Sequence, residues 1–199
     1  MMHSMIESAT TRERRRLETE HRITVCAQQL TDERGLDGFT MDELAEAADV
    51  SRRTLFNYFP SKVDAVLGNP PELPPDVLAT FHAGGPHGHL VDDLGELALV
   101  LLGSKLLSHQ EMERGRRIVT TTPRLIAAAH ERFEAYTGDF VEMILAREGQ
   151  HFGAERARLL IRLLVAIFDG CLPGSTADEG RPMGDIYVDH LRMARELLA

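Results

Sequence analysis

Apolar residues recur along this chain at intervals of three and four, and no stretch alternates as a half-buried strand does; the pattern predicts an all-α protein. The first predicted helix runs from about Thr11 to Gly35, with Ile23, Cys26, Ala27 and Leu30 at i, i+3, i+4 and i+7. Residues before about Thr10 are expected to be disordered. Gly35 and Gly38 break the chain. Thr40 then precedes Met41, Leu44, Ala45 and Ala48, and Glu43 stands three residues on, where a capping box places an acid. This helix is expected to stop near Ala48, with Asp49 and Val50 as a turn. Ser51 caps a second short helix, Arg52 to Phe59, whose Leu55 and Phe59 face inward. Pro60 ends it, because proline has no N–H to continue the ladder and restrains the residue before it. Ser61 caps a third, Lys62 to about Leu67.

The stretch Asn69 to Asp92 is rich in Pro, Gly and His, with a short helix expected in PDVLATFHA, and it separates a domain of residues 1–68 from one of 69–199. Helical patterns follow at Leu90–Leu107, Gln110–Val119, Pro123 to about Gly149, Ala154–Leu172 and about Met183–Leu198. Leu159, Leu160, Ile161, Leu163, Leu164, Val165, Ile167 and Phe168 cover more than one face of their helix. Such a helix must be covered on all sides, as a central helix or at a subunit interface. The last helix shows Tyr187, Leu191, Ala194 and Leu198 at near-helical spacing.

The outward face of the Arg52–Phe59 helix holds Arg52, Arg53, Thr54, Asn57 and Tyr58. Arginine bonds guanine O6 and N7, asparagine pairs with adenine, and hydroxyls suit phosphates. A helix N-terminus also favours phosphate through its free N–H groups. Cap, turn, core positions and polar face agree on a helix-turn-helix whose second helix enters the major groove.

From Thr40 to Lys62 the chain resembles the TetR family of one-component transcriptional regulators. Thr40, Leu44, Ala45, Ala48, Val50, Ser51, Thr54, Leu55, Phe56, Tyr58, Phe59, Ser61 and Lys62 match that family's pattern. The resemblance implies an N-terminal three-helix DNA-binding domain and a C-terminal helical ligand-binding and dimerisation domain. It implies that Thr40 and Lys62 contact phosphates. Ser51, Arg52, Arg53 and Thr54 would open the recognition helix, with Asn57 and Tyr58 further along. It also implies a repressor that binds palindromic double-stranded operator DNA as a homodimer, through helices near 154–172 and 183–198, and is released by a small-molecule effector. Candidate effector-lining residues are Leu101, Met112, Phe133, Tyr136, Phe140 and Phe168. Two positions depart from the family. Asp49 stands at its frequent turn glycine, a change that asparagine-like turn chemistry tolerates. Arg53 stands at a frequent glycine of the recognition helix, so an operator sequence does not transfer from relatives.

Charge modifies this picture. The 199 residues carry a net charge of −9, and residues 1–68 hold nine Lys/Arg against twelve Asp/Glu. Phosphate binding runs on clustered cations, so this balance argues against non-specific DNA binding and leaves specific contacts to carry affinity. The basic run at Arg12, Arg14, Arg15 and Arg16 fits either a DNA-backbone or minor-groove contact or a solvated helix tip. Cys26 and Cys171, far apart in sequence, read as reduced thiols of a cytoplasmic protein. No signal peptide and no membrane-length apolar run is seen. His82, His87 and His89 invite a metal reading, but the surrounding glycines and Pro86 favour a loose loop, and no metal or cofactor is expected. The alternative function is a helical-bundle enzyme or small-molecule-binding protein without a DNA role. Against it, no G-x-S-x-G, H-E-x-x-H or Gly-rich phosphate loop occurs, and no catalytic residue is assigned.

Overall fold

A computed structural model describes residues 2–70, 72–103, 109–171, 181 and 183–198, and no strand occurs among them. The helices are α1 (Met2–Arg34), α2 (Met41–Ala47), α3 (Arg52–Tyr58), α4 (Lys62–Leu67), α5 (Pro75–His82), α6 (Leu90–Gly103), α7 (His109–Thr121), α8 (Pro123–Glu148), α9 (Ala154–Cys171) and α10 (Met183–Leu198), with a 3-10 turn at Gln150–Phe152. The disorder expected before Thr10 is replaced by helix from Met2. No Gly or Pro precedes Gly35, so no helix-breaking residue stops a helix nucleated further along from propagating back towards Met2.

Packing divides the chain into two compact units, one of residues 1–70 with 106–129 and one of 71–105 with 130–199. The first is built on Ile23, Ala27 and Leu30 of α1, Leu44 and Ala45 of α2, Leu55 of α3, Phe59, and Ala65 and Val66 of α4, all buried. Leu55 and Phe59 are fully inaccessible, and burying each contributes about 2 kcal/mol. Ile118 of α7 and Leu125 of α8 complete this core, so the packing unit takes in helices that a division at 68/69 assigns to the second domain. Local chemistry explains how α7 docks. Gln28 of α1 donates Nε2–H to the Val66 carbonyl at 3.1 Å. Gly115 of α7 lies against that amide, where an added Cβ would come within 3.0 Å of Nε2. Arg117 then donates to Asp32 at 2.7 Å.

The second unit has two apolar clusters. One joins Phe81, Leu94, Leu97, Val141, Ile144, Ala157, Ile161 and Leu164; the other joins Cys171, Ile186 and Tyr187, with Leu99, Phe168 and Leu191 against them. Among the apolar residues lies an ion pair of Asp93 and Arg147, whose side chains are 0% and 4% exposed. Arg147 also donates to the Gly84 carbonyl and stacks 4.5 Å over Phe81, while Asp93 accepts the His87 N–H at 2.6 Å. Burial by itself would raise the Asp93 pKa; the His87 N–H and the Arg147 guanidinium outweigh it and hold the carboxyl below its ordinary value. Burial, with Cys171 adding to it, pushes the Tyr187 phenol up to about 12.

Helix α9 turns Ala157, Ile161, Leu164 and Cys171 inward and leaves Leu159 and Leu163 60% and 43% exposed. On α10 the stripe Tyr187, Leu191 and Ala194 faces the protomer's own interior, and the side chain of Leu198 lies outside the described residues. Val188, Met193 and Leu197 are its exposed large apolar residues among the described ones.

Candidate nucleic-acid interface

Each short helix of the first unit starts on a side-chain cap. Thr40 Oγ1 accepts the Glu43 N–H, and the Glu43 carboxylate accepts the Thr40 N–H at 2.7 Å, so the capping box read from sequence is formed. The Thr40 N–H, then its hydroxyl, hold the Glu43 carboxyl below the ordinary carboxylate range. Ser51 Oγ accepts the Thr54 N–H at 3.0 Å and opens α3. Ser61 Oγ accepts the Asp64 N–H and opens α4. Between α2 and α3, Asp49 takes φ +50° and Val50 packs against the core. That φ lies in the left-handed region, which is the physical reason a glycine suits this turn.

With successive side chains about 100° apart on a helix, Leu55 and Phe59 fix the inward side of the α3 segment. Arg53 and Asn57 then stand diametrically outward, and both are exposed. Arg52 and Phe56 share one flank, where the guanidinium lies 5.5 Å over the ring and donates to Asp42 of α2 at 2.8 Å. Thr54 and Tyr58 share the other flank and are half-buried. The arrangement presents a long cation and a carboxamide at the crest, and a hydroxyl at each end of a first turn that Ser51 caps. It has the chemistry to bond a guanine and an adenine edge between two phosphate contacts.

Five of the eight residues expected at DNA have side-chain partners inside the protein, among them Ser51 and Thr54, whose hydroxyls bond each other at 2.8 Å. The Thr40 hydroxyl is engaged with Glu43, and Arg52 is held by Asp42. Lys62 Nζ donates to the Phe39 carbonyl at 2.7 Å and lies 5.0 Å over its ring, tying the start of α4 to the corner that leads into Thr40. Sequence reasoning missed Asp42 and Phe39 as the groups that position these cations, because they are ten and 23 residues from their partners and only the folded turn brings them close. Phe56, 43% exposed on the flank it shares with Arg52, carried a signal as a large apolar residue outside the core stripe.

The segment 106–129 also changes the electrostatics. It adds four arginines and two glutamates, so the folded unit is closer to neutral than residues 1–68 alone. Arg117 covers Asp32, and Arg124 stands 3.6 Å from Asp37. Arg14 pairs loosely with Glu18, and Arg15 and Arg16 are exposed on α1; the side chain of Arg12 lies outside the described residues.

The residues proposed to line an effector site fall on four helices. Leu101 is half-buried on α6. Phe133, Tyr136 and Phe140 lie on α8, Phe140 against the first apolar cluster of the second unit and Tyr136 36% exposed. Phe168 belongs with the other cluster. Met112 sits on α7, in the first unit, and its side chain lies outside the described residues. In the histidine-rich loop His87 Nε2 meets Glu96 at 3.2 Å and His89 Nδ1 meets Asp92 at 3.6 Å. No group of three metal-ligating side chains occurs among the described residues. Both cysteines are free thiols, and burial, opposed by Arg22, raises the Cys26 pKa. No helix among the described residues is long and apolar enough to cross a membrane.

Residues 23–66, which run from the inward face of α1 to α4, match the family model described as bacterial regulatory proteins, tetR family. Ten chains among solved structures are similar. One is native NalD from Pseudomonas aeruginosa, described as the secondary repressor of the MexAB-OprM multidrug efflux pump; it is 21% identical, with 89% of this chain and 86% of that chain covered and a TM-score of 0.43. Among curated proteins none matches significantly.

Proposed function

We propose, from the premise that this chain belongs to the TetR family of bacterial regulatory proteins, that it is a cytoplasmic repressor which binds a palindromic operator as a homodimer and leaves it when a small molecule binds. The observation that carries the DNA reading is the capped α3, with Leu55 and Phe59 buried beneath it and Arg53 and Asn57 at its crest. Arg53 reads a guanine and Asn57 an adenine. Ser51, Thr54 and Tyr58 fix the helix on the backbone, and Thr40 and Lys62 take phosphates at the starts of α2 and α4. Arg52 exchanges Asp42 for DNA or stays to brace α3 against α2.

So short a reading helix contacts too few bases for a high affinity alone. Two copies on a twofold axis double the contacts and fix the spacing of the half-sites. Exposed Leu159 and Leu163 on α9, with Met193 and Leu197 on α10, supply the apolar surface for pairing in the 154–172 and 183–198 helices. The effector binds within the helices of residues 69–199. It releases DNA only to the extent that it binds the released conformation better than the DNA-bound one.

The test is binding to the DNA upstream of the protein's own gene, followed by fluorescence anisotropy with salt titration. A protected palindrome, occupied by two chains and released as salt rises, is the expected result. Equal binding to unrelated duplexes of the same length overturns the repressor reading.

A further inference from the structure

Phe56 leaves much of a phenyl ring in water on the flank of α3, outside the Leu55–Phe59 side that faces the core. The other exposed side chains of this helix are polar: Arg52, Arg53 and Asn57. An exposed ring gains free energy when another apolar group covers it. The major groove offers such a group in the C5-methyl of thymine, which phenylalanine contacts.

Arg52, one turn away, is held in place beside that ring. Its guanidinium carbon lies 5.5 Å from the Phe56 ring centroid, and Nη1 donates to Asp42 Oδ2 at 2.8 Å. Both members of this ion pair are well exposed, at 68% and 61%, so the pair adds little to folding stability. Its effect is on orientation. The ring and the carboxylate restrict a long side chain, and a side chain already restricted loses less entropy when it binds. Asp42 takes one N–H of the guanidinium fork, which leaves N–H groups to bond guanine O6 and N7. The spacing couples ring and fork. Neighbouring base pairs are about 3.4 Å apart along a duplex, so groups 5.5 Å apart reach the same pair or adjacent ones. No single pair holds both a thymine and a guanine, which leaves adjacent pairs.

We infer that Asp42, Arg52 and Phe56 form one composite reader, specific for a base step in which a pyrimidine with a C5-methyl group neighbours a guanine. This rests on the reading that α3 enters the major groove of operator DNA. Phe56 covers the methyl group. Arg52 keeps Asp42 in the complex and bonds the guanine with its remaining N–H groups, and Asp42 is a positioning residue. This guanine is distinct from the one read by Arg53, whose side chain leaves α3 about 100° further round. Because 5-methylcytosine carries the same methyl group as thymine, it satisfies the reader and unmethylated cytosine does not.

The experiment uses the duplex that the full wild-type chain selects from a random pool, with single-base replacements in one half-site and affinity read by fluorescence anisotropy. The selected motif is expected to fix a thymine and a guanine in neighbouring pairs. Deoxyuridine in place of that thymine removes the methyl group and should lower wild-type affinity about fourfold. Replacing the guanine by 7-deazaguanine, which has no N7 acceptor, should lower it about tenfold. Cytosine at the thymine position should weaken binding, and 5-methylcytosine should recover it. Phe56→Ala, with its fold checked by circular dichroism, should bind thymine and deoxyuridine duplexes equally. Asp42→Ala should lose most of the preference for guanine over 7-deazaguanine while binding unrelated duplexes more tightly, since it removes a carboxylate from beside the phosphates. A motif without such a step, equal wild-type affinity for thymine and deoxyuridine, a thymine preference kept in Phe56→Ala, or a guanine preference unchanged in Asp42→Ala overturns the composite reader and leaves the operator reading standing. Selection of no motif by the wild type overturns both.

Discussion

Asp49 and Lys62 show how single side chains set the terms of DNA binding. Asp49 holds φ +50° at a turn where the family often has glycine, and it places a negative charge beside the start of α3. Asp49→Gly relieves the left-handed conformation but loses more chain entropy on folding; the net expectation is about 0.5 kcal/mol of added stability. Removing the carboxylate should also strengthen binding to every duplex. A melting temperature at or below that of the wild type counts against the strain argument. Lys62 is different, because its ammonium is bonded to the Phe39 carbonyl in the free protein. Lys62→Met keeps the apolar stem against the Phe39 ring and removes the charge. If the ammonium moves to a phosphate in the complex, the logarithmic salt slope of operator binding falls by about one. A weaker affinity with an unchanged slope would assign Lys62 to holding the corner before Thr40 instead.

At the scale of elements, the buried pair of Asp93 and Arg147 joins the start of α6 to the end of α8 within the second unit. Asp93→Asn leaves the buried guanidinium with only the Glu148 carboxylate, 3.0 Å from its Nε, as counterion and is expected to cost about 2 kcal/mol in urea denaturation; a loss below about 1 kcal/mol would show the pair to be dispensable. The pH dependence follows from the sign of the shift. The Asp93 pKa is lower folded than unfolded, so its contribution is complete above the unfolded value of about 3.9 and is lost as pH falls through the folded value. Stability from this pair is therefore flat between pH 7 and 5 and declines below about 4, and Asp93→Asn should remove that part of the acid decline. The helices themselves were legible because caps and periodicity are local: Thr40, Ser51 and Ser61 begin helices as their sequence contexts predict. This pair was not legible, since nothing local marks Asp93 as buried beside Asp92. Nor was the docking of α7 on α1, which depends on Gly115 meeting Gln28, 87 residues earlier in the chain.

For the whole molecule, the acidic balance and the DNA reading fit together once the folded unit rather than the linear segment is counted. Arg117 and Arg124 lie beside Asp32 and Asp37, which limits repulsion near the α1–α2 corner and leaves Arg53 as an exposed cation at the crest of α3. Dimerisation is proposed through the apolar residues that α9 and α10 leave exposed. Because Leu163 is exposed in the protomer, Leu163→Glu should leave the fold intact by circular dichroism yet give monomers in sedimentation and lose most operator affinity. A dimer that persists in this variant would move the interface elsewhere. That α3 reads base sequence through Arg53 is checked by selection of bound duplexes from a random pool, by the wild type and by Arg53→Ala. The wild type should enrich a twofold-symmetric motif with a fixed guanine in each half-site, and Arg53→Ala should lose that guanine while keeping the symmetry. Enrichment of no motif by the wild type, or of the same motif with the same guanine by Arg53→Ala, would contradict it.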